Sequence, residues 1–143
     1  MIVVTGGAGF IGSAFVWKLN TEGIDEVILV DRLGCSKKWK NLVNRRYADF
    51  LHKDLFLKMI LEDRVPFPVE AIMHMGACSS TMEADADYLM ENNFHYTCRV
   101  TEWAIKHGVR LIYASSAATY GDGSRGFDDD EEESGEEAGL LVG

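Results

Sequence analysis

Gly6, Gly9 and Gly12 stand near the start of the chain with the spacing G-x-x-G-x-x-G. Missing side chains at those positions let main-chain amides at the front of a helix meet a pyrophosphate, whose charge the helix dipole favours. Asp31 closes the next apolar run, 19 residues beyond Gly12. A carboxylate at that distance suits the ribose hydroxyls of a dinucleotide. The chemistry indicated is dinucleotide binding; the plain alternative is an ordinary Gly-rich turn between strand and helix. Arg32, Lys37 and Lys38 follow Asp31 directly, and Lys53 lies further on. Asp31 alone would repel a 2′-phosphate, whereas bases beside it neutralise one through charge-assisted hydrogen bonds. The reading favours NADP, with NAD or a merely solvated basic loop as alternatives.

Three further segments could carry chemistry. His74-Met75-Gly76-Ala77-Cys78-Ser79-Ser80 follows an apolar run, and its small residues allow close approach of a cofactor or simply make a tight turn. Asn92 and Asn93 fall inside a helical stretch, where asparagine is mildly unfavourable. An amide contacting a loop or cofactor explains them, and so does a solvent-facing pair. Ser115-Ser116-Ala117-Ala118-Thr119-Tyr120-Gly121 closes the strand nearest the expected nicotinamide. A hydroxyl there can donate to a substrate oxygen that alternates between alcohol and carbonyl, as reversible hydride transfer requires.

The elements that must position these residues alternate. Strands are predicted at about 2–5, 26–31, near 47–48, 70–75 and 111–114; helices are predicted at about 11–22, 53–63 and 83–107. An irregular basic stretch covers 32–46, and Gly108 is the natural cap of the long helix. Strand–helix repetition predicts an α/β fold: a Rossmann-type doubly wound parallel sheet, incomplete at its C-terminal side, with ligand beyond the carboxyl ends of the strands.

Composition narrows the class. The chain has 143 residues, 47% of them hydrophobic, which suits one globular core. No apolar run approaches the ~20 residues that span a bilayer, and the N-terminus lacks a basic leader. A cytoplasmic protein without a membrane partner is expected. Cys35, Cys78 and Cys98 show no C-x-x-C spacing, and the four histidines are scattered, so neither a disulfide frame nor a metal site is expected. The net charge of −9 is uneven: residues 122–143 hold 9 acids and 1 base, leaving 14 acids and 13 bases in residues 1–121. A nearly neutral body without a basic aromatic stripe argues against nucleic-acid binding. The expected organisation is a dinucleotide-binding domain over 1–123 and an acidic, poorly ordered tail over 124–143, with its run of like charges at 128–133.

Taken together, these segments resemble the extended short-chain dehydrogenase/reductase superfamily. Within it, they resemble the ADP-glyceromanno-heptose 6-epimerases of lipopolysaccharide-core precursor synthesis. The likeness rests on Val4 to Ser13, Asn41-Leu42-Val43, Ala48-Asp49, Gly76-Ala77-Cys78-Ser79-Ser80-Thr81 and Tyr113 to Gly121, and covers about residues 1–121. It implies cofactor contacts at Phe10, Ile11, Asp31, Arg32, Lys38, Lys53, Met75, Gly76, Ala77, Cys78, Ser79 and Asn92, beside the glycines Gly6, Gly9 and Gly12. It implies that Ser116 is the active-site hydroxyl. It also implies a nucleotide-sugar substrate and, for full-length members, a homo-oligomer, a pentamer.

Departures are informative. Arg32 stands where the family often has asparagine, and His74-Met75 where it often has His-Glu. The superfamily's Tyr-x-x-x-Lys pair is missing: no lysine follows Lys106 and no tyrosine follows Tyr120. The expectation is the N-terminal part of an NADP-dependent epimerase that oxidises the heptose at C6 and returns the hydride to the other face, inactive on its own. A 4,6-dehydratase would carry Thr-Asp-Glu where this chain has Ala117-Ala118-Thr119. Another nucleotide-sugar epimerase, or a non-catalytic dinucleotide-binding sensor, is the alternative.

Overall fold

Apolar runs bounded by glycines and acids become strands, and the stretches with helical spacing between them become helices. The computed structural model describes residues 1–80, 82–116 and 120–124. The strands are β1 (Ile2–Thr5), β2 (Val27–Asp31), β3 (Asp49–His52), β4 (Ala71–His74) and β5 (Arg110–Tyr113). The helices are α1 (Phe10–Thr21), α2 (Lys53–Leu61), α3 (Ala86–Leu89) and α4 (Tyr96–His107). A 3₁₀ segment covers Lys37–Leu42, and a π-turn, Met90–His95, joins α3 to α4 without a break.

Among the described residues the five strands are all parallel, in the order β3-β2-β1-β4-β5. The order reverses at β1, where Thr5 lies in register with Val30 on one side and His74 on the other. In open α/β sheets such a reversal opens a crevice past the carboxyl ends of the strands, and ligands bind there. The fold class inferred from the sequence, a Rossmann-like parallel sheet with flanking helices, is the one observed.

β1 and β2 are apolar without alternation because both of their faces are covered. Val3, Ile28, Val30 and Ile72 pack under Phe56 and Ile60 of α2 and Tyr96, Val100 and Trp103 of α4. On the opposite face Val4, Val27 and Leu29 pack against Val16 and Leu19 of α1. α4 ends at Gly108 in the left-handed conformation (φ 65°), the cap its position predicts.

Three boundaries differ from the sequence reading. The third strand occupies Asp49–His52, not 47–48, because Ala48 only enters the sheet by donating its amide to the Val27 carbonyl. Only Leu51 of that strand is fully buried, so its alternation is faint. The stretch 32–46 contains the 3₁₀ segment, which is held from outside: Asn41 Nδ2 donates to the Ala8 carbonyl at 2.9 Å. The helix expected at 83–107 begins at Ala86, where Asp85 caps it by accepting from the Tyr88 amide at 2.9 Å.

The chain divides into two compact units after Tyr113. In the second, the described residues Tyr120–Ser124 form a turn in which the Gly123 amide donates to the Tyr120 carbonyl at 2.9 Å. The acidic run at 128–133 lies outside the described residues, as do Thr81 and Ala117-Ala118-Thr119. No helix among the described residues is long and apolar enough to cross a membrane.

Candidate dinucleotide site

The glycines between β1 and α1 have different reasons to be glycine. Gly6 has φ 67°, and a Cβ there would come within 2.9 Å of the Gly76 main chain. A Cβ at Gly12 would fall 2.2 Å from the Gly6 carbonyl oxygen. These two are demanded by the fold. Gly9 has an ordinary φ of −69°, and among the described residues a Cβ there would meet only the Gly6 oxygen, at 3.0 Å. Its missing side chain leaves room directly over the first turn of α1. Gly9 caps that helix with no side-chain bond, and no acid stands in the first turn. Among the described residues, the amides of Phe10, Ile11 and Gly12 therefore lack the side-chain acceptor that usually serves a helix start. Phe10 and Ile11 are 86% and 68% exposed, so this end of α1 is open. An anion of pyrophosphate size fits these features.

Asp31, at the end of β2, is buried and turned into the glycine loop. Its Oδ2 accepts from the Ala8 amide at 2.9 Å, and its Oδ1 accepts from the Arg32 amide at 2.6 Å and from Lys38 Nζ at 2.5 Å. Its charge is thus compensated by Lys38 from the 3₁₀ segment. Arg32 and Lys37 are exposed around the same edge. Lys53 directly follows His52, the register partner of Asp31, at the carboxyl end of the neighbouring strand; its ammonium is paired with Asp54 at 2.9 Å and lies 5.6 Å from the centre of the Tyr96 ring. Tyr96 donates its hydroxyl to the Lys53 carbonyl at 3.1 Å, and burial pushes that hydroxyl's pKa up.

The segment after β4 runs beside the glycine loop, with Gly76 packed against Gly6. Thr5 Oγ1 receives the Met75 and Gly76 amides at 3.2 and 3.0 Å. At the far end of the segment, Asn93 grips Cys78 on both sides. Asn93 Oδ1 accepts from the Cys78 amide at 2.7 Å and its Nδ2 donates to the Cys78 carbonyl at 3.1 Å. Asn92 is half-buried and donates to Asn93 Oδ1 at 2.9 Å. Ala77 and Ser79 are exposed.

His74 joins the two ends. Its Nδ1 lies 2.6 Å from Thr5 Oγ1 and its Nε2 lies 2.9 Å from Thr97 Oγ1. The ring is buried between Tyr96 and Tyr113, at 5.9 and 6.3 Å. Burial lowers its pKa to about 4, so the imidazole is neutral at pH 7.

The structure brings Gly6, Gly9, Phe10, Ile11, Gly12, Asp31, Lys38, Met75 and Gly76 to one crevice. Ser116 lies in the second unit and is exposed. The sequence singled out neither Thr5 nor Thr97. A threonine and a histidine ending two apolar strands were the available signal, since a polar group at a buried strand end needs a partner. Among the described residues, no group of three or more His, Cys, Asp or Glu could hold a metal ion.

A family model described as the NAD dependent epimerase/dehydratase family matches residues 2–138. The ADP-L-glycero-D-manno-heptose-6-epimerase of Nitratidesulfovibrio vulgaris is 60% identical over 131 residues, covering 92% of this chain and 41% of that protein. The enzyme of the same name from Fusobacterium nucleatum is 50% identical over 130 residues, covering 91% and 39%. Among solved structures, a UDP-glucose 4-epimerase from Thermotoga maritima superposes with a TM-score of 0.65 at 31% identity, covering 85% of this chain and 40% of that one. A UDP-glucose 4-epimerase from Brucella ovis in complex with NAD gives 0.67 at 27% identity, covering 84% and 37%. The chain spans about two fifths of the length of the curated relatives it matches.

Proposed function

Taking as premise that this chain belongs to the NAD dependent epimerase/dehydratase family, we propose that it is the dinucleotide-binding part of a nucleotide-sugar epimerase. The substrate in this reading is ADP-glycero-manno-heptose, inverted at C6. The observation that carries the binding role is the open first turn of α1 at the reversal of strand order, with space over Gly9 that packing does not require.

Phe10, Ile11 and Gly12 would hold the pyrophosphate through their amides. Lys38 supports NADP over NAD because it compensates Asp31, whose charge would otherwise oppose a 2′-phosphate; Arg32 and Lys37 add positive charge at that edge. When bound, the dinucleotide would supply reversible hydride transfer, so no external oxidant would be consumed. Ser116 is the proposed donor to the sugar oxygen as it passes between alcohol and ketone. No Tyr-x-x-x-Lys occurs in the 143 residues, so the chain alone is proposed to bind dinucleotide without turning over sugar. Names of the relatives at 50–60% identity support the heptose substrate.

Thermal unfolding with each dinucleotide tests this. NADP is expected to raise Tm more than NAD does, by mass action on the folded state. A chain whose Tm responds to neither overturns the proposal.

A further inference from the structure

The hydrogen bonds around His74 admit one direction of donation. Thr97 Oγ1 spends its only proton on the Asn93 carbonyl, at 2.5 Å. It can therefore only accept from His74, which fixes the imidazole as the Nε2–H tautomer. His74 Nδ1 is then an acceptor, and Thr5 Oγ1 donates to it while receiving the Met75 and Gly76 amides. A single ordered chain thus runs from the start of the Met75–Cys78 segment, through β1 and β4, to the main chain of Asn93. The Asn93 side chain closes the circuit on Cys78 at the segment's other end. The residue lies in the π-turn, a local unwinding of the kind that recurs at functional sites.

We propose that Asn93 is a positioning residue for dinucleotide binding: from the π-turn it sets the Met75–Cys78 segment against the glycine loop, and the Thr5–His74–Thr97 chain holds Asn93 in register. The proposal rests on the dinucleotide-binding reading above. It differs from the role that the family resemblance gives Asn92, because Asn93 acts on the protein main chain and touches no ligand. Gly76 presses on Gly6, so a segment released from Cys78 loosens the wall of the crevice facing the pyrophosphate turn.

The test uses the full 143-residue chain with NADP as probe, and iodoacetamide labelling of Cys78 read by mass spectrometry. Asn93→Leu is expected to weaken NADP about tenfold, the scale of one buried hydrogen-bond pair, and to speed Cys78 labelling by a similar factor. Asn93→Asp supplies a readout that a merely structural role would not move. At pH 8 its carboxylate faces the Cys78 carbonyl and affinity falls. Near pH 4, where an ordinary carboxyl is about half protonated, it again offers one donor and one acceptor to Cys78, and affinity recovers relative to the parent at that pH. NADP binding within twofold of the parent in both variants at both pH values overturns the proposal. If Asn93→Leu does not fold, the presence or absence of the pH recovery in Asn93→Asp decides. If the parent binds neither dinucleotide, the glycine-loop reading falls by itself. Cys78 labelling then still judges the segment: faster in the variant upholds the positioning role, and unchanged overturns it.

Discussion

The Asp31 carboxylate accepts a hydrogen bond from the Ala8 amide at 2.9 Å, tying the end of β2 to the middle of the glycine loop. The same carboxylate is the group proposed to meet a ribose, so on that reading it would serve loop geometry as well as ligand recognition. Asp31→Ala is expected to weaken NAD and NADP together, because the loop loses its anchor. Lys38→Ala leaves Asp31 uncompensated and should weaken NADP about tenfold more than NAD. Titration of each variant with both dinucleotides gives the ratio directly; an unchanged ratio in Lys38→Ala removes Lys38 from cofactor choice.

Two glycines in one motif should fail in opposite ways. Gly12→Ala places a methyl 2.2 Å from a carbonyl oxygen and is expected to cost about 3 kcal/mol of stability, the upper end for forced overpacking. At Gly9 an added Cβ would meet, among the described residues, one atom at 3.0 Å, so Gly9→Val is expected to stay folded and lose dinucleotide affinity. Chemical denaturation and binding measured on both variants separate the two effects.

His74 makes stability depend on pH in a defined window. The unfolded imidazole titrates at 6.5, the native one at about 4. Above pH 6.5 both states are neutral and there is no contribution. As pH falls from 6.5 towards 4, the unfolded chain binds a proton that the folded chain excludes, so stability declines by about 3 kcal/mol over the window. His74→Gln should flatten that slope, measured as denaturation midpoint against pH.

A second titration lies at the ends of α2 and α4. Asp63, in the left-handed region at φ 55°, accepts from Trp103 Nε1, Lys106 Nζ and His107 Nε2 at 3.2, 2.7 and 2.6 Å. The Lys106 ammonium and the His107 ring hold its pKa at about 2, below the ordinary 3.8. Its contribution is present above pH 3.8 and is lost as pH falls towards 2. Asp63→Asn tolerates the same backbone conformation but loses the charge, so Tm should fall at pH 7 and the variant should match the parent below pH 2.

Much of this architecture is legible from the residues. Ile2–Thr5, the glycine spacing and Val27–Asp31 announce a strand, a turn and a second strand because burial on both faces forces continuous apolar runs. Lys53–Leu61 and Tyr96–His107 show their apolar spacing plainly. β3 is obscure because a peripheral strand takes its register from pairing with β2, not from its own pattern. The π-turn is obscure because one extra residue in a helix leaves no trace in hydrophobic periodicity. Asn92 and Asn93 stand out together, but which of them grips Cys78 depends on that unwinding. The pairing of Asp31 with Ala8 is hidden for another reason: any strand-end acid near a glycine loop reads as a ligand contact.

The two faces of the sheet are unequally provisioned. Among the described residues, eleven buried side chains form the core shared with α2 and α4, against five in the core shared with α1. Cooperative opening should therefore begin at α1, the element that carries the glycine loop. Amide hydrogens of Val16 and Leu19 should exchange with deuterium sooner than those of Val100 and Ala104. A bound dinucleotide, bridging α1 to the β4 side of the crevice, should slow the first pair far more than the second, making the weaker half of this protein the half whose dynamics report occupancy.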